Sequence, residues 1–198
     1  MAGRIVVLIS GSGTNMEALA DACEAGDVPG KIVGVVADRD CIGLKAAEKR
    51  GLEGALVDFR EFTSRDDWNT ALRDRVKSYE PDLVVSAGFM RLLAPSFVDA
   101  FPGRIINVHP ALLPAFPGAH AVRDALAAGA KVSGTTVHFM DHEMDHGQII
   151  LQEAVRVEPG EPEDELHDRI KAVEHRLLPQ ACRLVLDGKV RLEQGVAE

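Results

Sequence analysis

Cysteine is scarce: Cys23, Cys41 and Cys182 are the only three in 198 residues. They are widely spaced, odd in number and form no CxxC pair, which argues against a disulfide framework and a zinc knuckle. Such usage fits a reducing cytosol, and a cytoplasmic location is expected. Long apolar runs are missing too. The first covers residues 5–9, too short for a signal segment or a membrane span, and nothing later reaches 18. No repeat, low-complexity stretch or linker interrupts the chain, so one domain over residues 1–198 is expected. Positive charge is in deficit: Lys and Arg number 22 against 31 Asp and Glu, a formal net charge of −9. That excludes a broad surface for nucleic acid or anionic membrane and still allows one anionic ligand in a locally positive pocket. The 46% apolar residues suffice for a core without metal or disulfide staples.

What is present reads as alternating strands and helices. Residues 5–9, 32–37, 55–57, 83–86 and 105–108 are short apolar runs, the pattern of strands buried on both faces. Between them, helical spacing covers about 16–25, 44–50 and a segment entered at Ser64 and ended at Glu80-Pro81. After residue 130 two longer strands, 132–140 and 148–157, should pair. A last helix spans about 163–186, and Pro179 should kink or split it. The expected fold is α/β: a Rossmann-like, mostly parallel twisted sheet with flanking helices and a C-terminal β-hairpin and helix extension.

Three places carry candidate chemistry. The first strand runs into Gly11-Ser12-Gly13-Thr14-Asn15 and then a helix, an arrangement that offers free N–H groups and a positive dipole end to a phosphate. The dinucleotide version needs a small residue where Met16 stands; Asp38 is the acidic residue nearest a ribose-binding position; and no Gly-Lys-Ser/Thr follows. The same residues would also serve a plain tight turn. Next, Asn107 and His109 close a buried strand and, two apart, share a face. An amide donor beside an imidazole suits a carbonyl whose oxygen gains charge, although both could simply make turn hydrogen bonds. Third, His138, His142 and His146 are four apart, which would suit a metal only on a helix. The β-branched Thr135, Thr136 and Val137 argue for a strand, and Asp145 is better read as a carboxylate aimed into a crevice.

These segments, with Ala87-Gly-Phe-Met-Arg91, Leu112-Leu-Pro114 and the Asp145 loop, resemble in order and spacing the folate-dependent formyltransferases. Among them the chain is most similar to the glycinamide ribonucleotide formyltransferases of purine synthesis, from about residue 4 to 190. The glycine turn is the discriminating piece. The related methionyl-tRNA formyltransferases and formyltetrahydrofolate deformylases carry extra domains for which this length leaves no room. The resemblance implies formyl transfer from 10-formyltetrahydrofolate to glycinamide ribonucleotide, without a metal, by a monomer or homodimer. It divides the chain into a phosphate-binding half, 1–100, and a folate and catalytic half, 101–198.

It also implies site roles. Asn107, His109 and Asp145 would be catalytic. Gly11, Ser12, Gly13, Thr14, Arg65 and Glu174 would hold phosphate and ribose. Gly88, Met90, Pro110, Gly118 and His120 would line the amine. Arg91, Leu92, Leu93, Val98, Ile105, His138, Met140 and Asp141 would form the folate pocket. The chain departs from the family at Ala111, where serine is usual, and at His146, where a small residue is usual.

Overall fold

Strand β1 (Gly3–Ile9) is apolar from Ile5 onward because both faces of the sheet are covered. Ile5, Val7 and Ile9 point into one core with Met16 and Leu19 of α1 (Thr14–Glu24) and Leu177, Leu178 and Ala181 of α6 (Glu163–Leu186). Val6 and Leu8 point into the other, with Trp68, Leu72 and Val76 of α3 (Arg65–Ser78) and Phe97 of α4 (Pro95–Val98). The computed structural model describes residues 2–192. Residue 1 and residues 193–198, the ends of the span read as one domain, lie outside it.

The remaining strands are β2 (Gly30–Ala37), β3 (Gly54–Leu56), β4 (Leu83–Ser86), β5 (Ile105–His109), β6 (Val132–Phe139) and β7 (Ile149–Arg156). They form one seven-stranded sheet in the order β3-β2-β1-β4-β5-β6-β7. The first five are parallel; β6 runs antiparallel to β5, and β7 antiparallel to β6. This is the expected mostly parallel sheet with a C-terminal hairpin. Strand order reverses between β1 and β4, and the crevice beyond the carboxyl ends at such a switch point is where ligands bind in open α/β sheets.

Most expected elements shift by one to three residues; the helix expected at 44–50, for instance, is α2 (Ile42–Lys49). Ser64 caps α3 as its sequence suggested, its hydroxyl accepting from the amide of Asp67 at 3.1 Å. Two helices were not legible, α4 and α5 (Ala121–Ala127): four and seven residues are too few to show a helical period. Pro179 does not split α6, which runs unbroken through it. Buried Leu177, Leu178, Ala181 and Cys182 on both sides of the proline pack into the core.

Candidate active site

The turn between β1 and α1 is an open helix end. Gly13 has φ +79°, a left-handed conformation that favours glycine, and a Cβ there would stand 2.8 Å from the Cα of Gly43. The Gly43 amide in turn donates to the Gly11 carbonyl at 2.9 Å. The first helical bond runs from the amide of Glu17 to the Gly13 carbonyl, and no side chain caps the helix. The amides of Thr14, Asn15 and Met16 therefore precede any intrahelical bond, as an anion site requires. Beside them, the Asn15 amide group donates to the buried Glu174 carboxylate at 2.8 Å, while Asn15 Oδ1 is buried without a partner. Asn15 closes the glycine-turn motif read from the sequence, which gave it no role of its own; the structure makes it the link between that turn and Glu174.

Asn107, His109 and Asp145 come together. His109 is buried at the end of β5. Its Nε2 lies 2.8 Å from the Phe116 carbonyl, and its Nδ1 lies 3.5 Å from Asp145 Oδ2. The same Oδ2 accepts the amide of Gly118 at 2.8 Å. Asn107 Nδ2 stands 3.4 Å from Asp145 Oδ1 and 3.2 Å from His138 Nε2. His138 Nδ1 faces the Phe139 carbonyl at 2.8 Å, which assigns its proton to Nδ1 and leaves Nε2 to accept from Asn107. Burial lowers the His138 pKa more than Asp145 and the Phe139 carbonyl raise it, favouring a neutral ring. Phe116 and Asp145 hold φ of 55° and 53°, so two of the three non-glycine left-handed residues among those described sit at this site.

The Thr135-Thr136 pair fixes the backbone around the histidine. Thr135 donates to the carbonyl of His109 at 3.1 Å, and Thr136 to that of Ala111 at 2.7 Å. Ala111 is fully buried, so no polar group is missed at this departure from the family pattern. The other departure, His146, bonds Asp141 at 2.8 Å inside the 140–147 loop, and Asp141 raises its pKa. His142 reaches Asp99 at 2.8 Å. The three spaced histidines thus go to three different partners.

Several expected placements change. The Arg65 guanidinium donates to the Leu92 carbonyl at 2.9 Å, in the segment given to folate. His138 and Ile105 are 1% exposed, beneath the site rather than on its surface. His138 acts there through Asn107, and Ile105 through its carbonyl, which accepts the amide of Met140. Asp38, noted only as the acidic residue nearest the ribose position of a dinucleotide fold, is fully buried, its carboxylate taken by Arg39 and Arg91. Val98, Met140 and Asp141 line a cavity of about 400 Å³ together with His142 and His146. Met90 and Leu92 are exposed, while Leu93 is buried. Gly88, Pro110, Gly118 and His120 lie in the loops that follow β4 and β5.

An open anion site and an amide–imidazole–carboxylate cluster share one sheet edge, an arrangement built for acyl-group transfer to a phosphorylated acceptor. The chain belongs to the formyl transferase family, whose model matches residues 3–182. It is 48% identical over 178 residues to phosphoribosylglycinamide formyltransferase of Mycobacterium tuberculosis (strain CDC 1551 / Oshkosh), covering 90% of this chain and 82% of that one. The enzyme of the same name from Escherichia coli (strain K12) is 39% identical, covering 98% and 92%. The crystal structure of glycinamide ribonucleotide transformylase 1 from Symbiobacterium toebii superposes with a TM-score of 0.94 at 47% identity, over 97% of this chain and 91% of that one. Among the described residues, no helix is long and apolar enough to cross a membrane.

Proposed function

We propose that this chain transfers the formyl group of 10-formyltetrahydrofolate to the primary amine of glycinamide ribonucleotide, a step of purine synthesis. The carrying observation is the placement of His109, held between Phe116 and Asp145, on the sheet edge that also bears the uncapped start of α1. The phosphate docks on the amides that start α1, with Glu174 on the ribose hydroxyls. Gly88, Met90, Pro110, Gly118 and His120 border the reacting amine. The folate lies along Arg91, Leu92 and Leu93 and the cavity by Val98, Met140 and Asp141. Arg65, joined to Leu92, belongs to this folate side.

The amine attacks the formyl carbon and the carbonyl π electrons move to oxygen. Asn107 donates to that oxyanion. Its hydrogen toward Asp145 spans a long 3.4 Å and is the one free to turn to substrate. His109, in its imidazolium form between Phe116 and Asp145, stabilises the same oxygen by its charge. Asp145, directly or through a water, carries the proton lost by the amine toward the folate nitrogen, which leaves with the C–N bonding pair as tetrahydrofolate.

The experiment is direct: mix the chain with 10-formyltetrahydrofolate, with and without glycinamide ribonucleotide, and follow tetrahydrofolate by absorbance. Release only with the nucleotide is expected. Release without it would mean a hydrolase, and no release at all a binding protein.

A further inference from the structure

Asp38 has no access to solvent, yet it sits where β2 ends, on the edge that carries the site. A buried carboxylate is costly unless every lone pair is used. Here they are used in two directions. Outward, Arg39 approaches with Nε and Nη2, the closest contact being 2.9 Å. Across the switch point, Arg91 donates from Nε to Asp38 Oδ2 at 2.9 Å, and the Ser10 hydroxyl nearby also favours the charged carboxylate. Ser10 in turn accepts the amide of Met90 at 2.8 Å. Burial pushes the Asp38 carboxyl up, but Arg39, Ser10 and Arg91 outweigh it and hold it below its usual value, so it stays charged.

The backbone of Asp38 serves the same end. Its carbonyl accepts the amide of Phe59, and the Phe59 ring lies under the Arg91 guanidinium at 4.2 Å. Arg91 is thus gripped by charge on one side and by an aromatic face below, both from the chain at Asp38. The grip uses Nε alone. Nη1 and Nη2 carry no bond among the described residues, and their parallel N–H groups suit a ligand carboxylate.

We propose that Asp38 is a positioning residue for the formyl donor, setting Arg91 before the ligand arrives. The inference rests on reading residues 91–93 as the donor's segment. The glycine turn is held separately, by the Gly43 amide on the Gly11 carbonyl, so the nucleotide side should be spared.

The test measures both KM values and kcat for Asp38→Asn, Arg91→Ala and their double variant, with Arg39→Ala as control and urea unfolding alongside. Asp38→Asn should raise KM for 10-formyltetrahydrofolate about tenfold, with kcat and the nucleotide KM within about twofold, the mark of lost donor binding. In the Arg91→Ala background the same change should add less than about twofold, because the two residues act as one unit. Arg39→Ala should leave both KM values within about twofold. Equal losses for both substrates, or full additivity in the double variant, would overturn the proposal. If Asp38→Asn does not fold, the single arginine variants decide: the proposal stands if only Arg91→Ala raises the donor KM, and fails if the two match. A wild-type chain that transfers no formyl group would overturn the functional reading instead; one that transfers it while Asp38→Asn behaves as wild type overturns only this inference.

Discussion

Each oxygen of Asp145 already has protein partners: Oδ2 takes the Gly118 amide and faces His109, and Oδ1 faces Asn107. Removing the carboxylate therefore frees a loop as well as a proton acceptor. Asn107→Ala and Asp145→Ala should each lower kcat on the order of a hundredfold or more, measured by initial rates at saturating substrates. Near wild-type turnover in either would remove that residue from the reaction. Arg65→Ala should raise the KM of the folate far more than that of the nucleotide, since its guanidinium meets Leu92; the reverse split would return it to the phosphate. His138 sets a pH dependence. Its folded pKa is lowered, so its contribution to stability is present above its ordinary value and lost as pH falls through the lowered one. Urea midpoints should fall with pH in that window and fall less in His138→Gln, and identical slopes would exclude the effect. Asn107, His109 and Asp145 were legible because their types and order carry the chemistry. The partners of Arg65 and Asp38 were not legible, because a flexible guanidinium or a buried carboxylate finds its partner only through tertiary contacts.

Among the elements, the ones that read cleanly had length or punctuation. β1 showed its burial in five unbroken apolar residues, and α3 announced itself with Ser64. The pieces that were missed, α4 and α5, border the site and are stabilised by docking rather than by propensity. Pro179 misled because local sequence predicts a break that packing overrides. The β1–α1 turn gives the element-level prediction. Gly13→Ala adds a strained φ and a Cβ against Gly43, so it should raise the KM of the nucleotide about tenfold or more while sparing the folate, read from paired KM measurements. An unchanged nucleotide KM would show that the phosphate docks elsewhere.

For the molecule as a whole, a formal charge of −9 faces two anionic substrates. On the function proposed above, binding comes from near-range devices: the amides of α1 and the guanidinium groups at residues 65 and 91. Such contacts are screened less than a long-range field. Between roughly 0.02 and 0.2 M salt, kcat/KM should change less than about threefold. A steep fall with salt would reveal long-range attraction that the composition does not supply.

Pro179 has a mechanical consequence. Lacking an N–H, it leaves the carbonyl of His175 without its helical donor, one residue beyond Glu174. The turn of α6 that carries its one buried carboxylate, Glu174, is thereby one backbone bond short, and the bond from Asn15 ties that same turn to the start of α1.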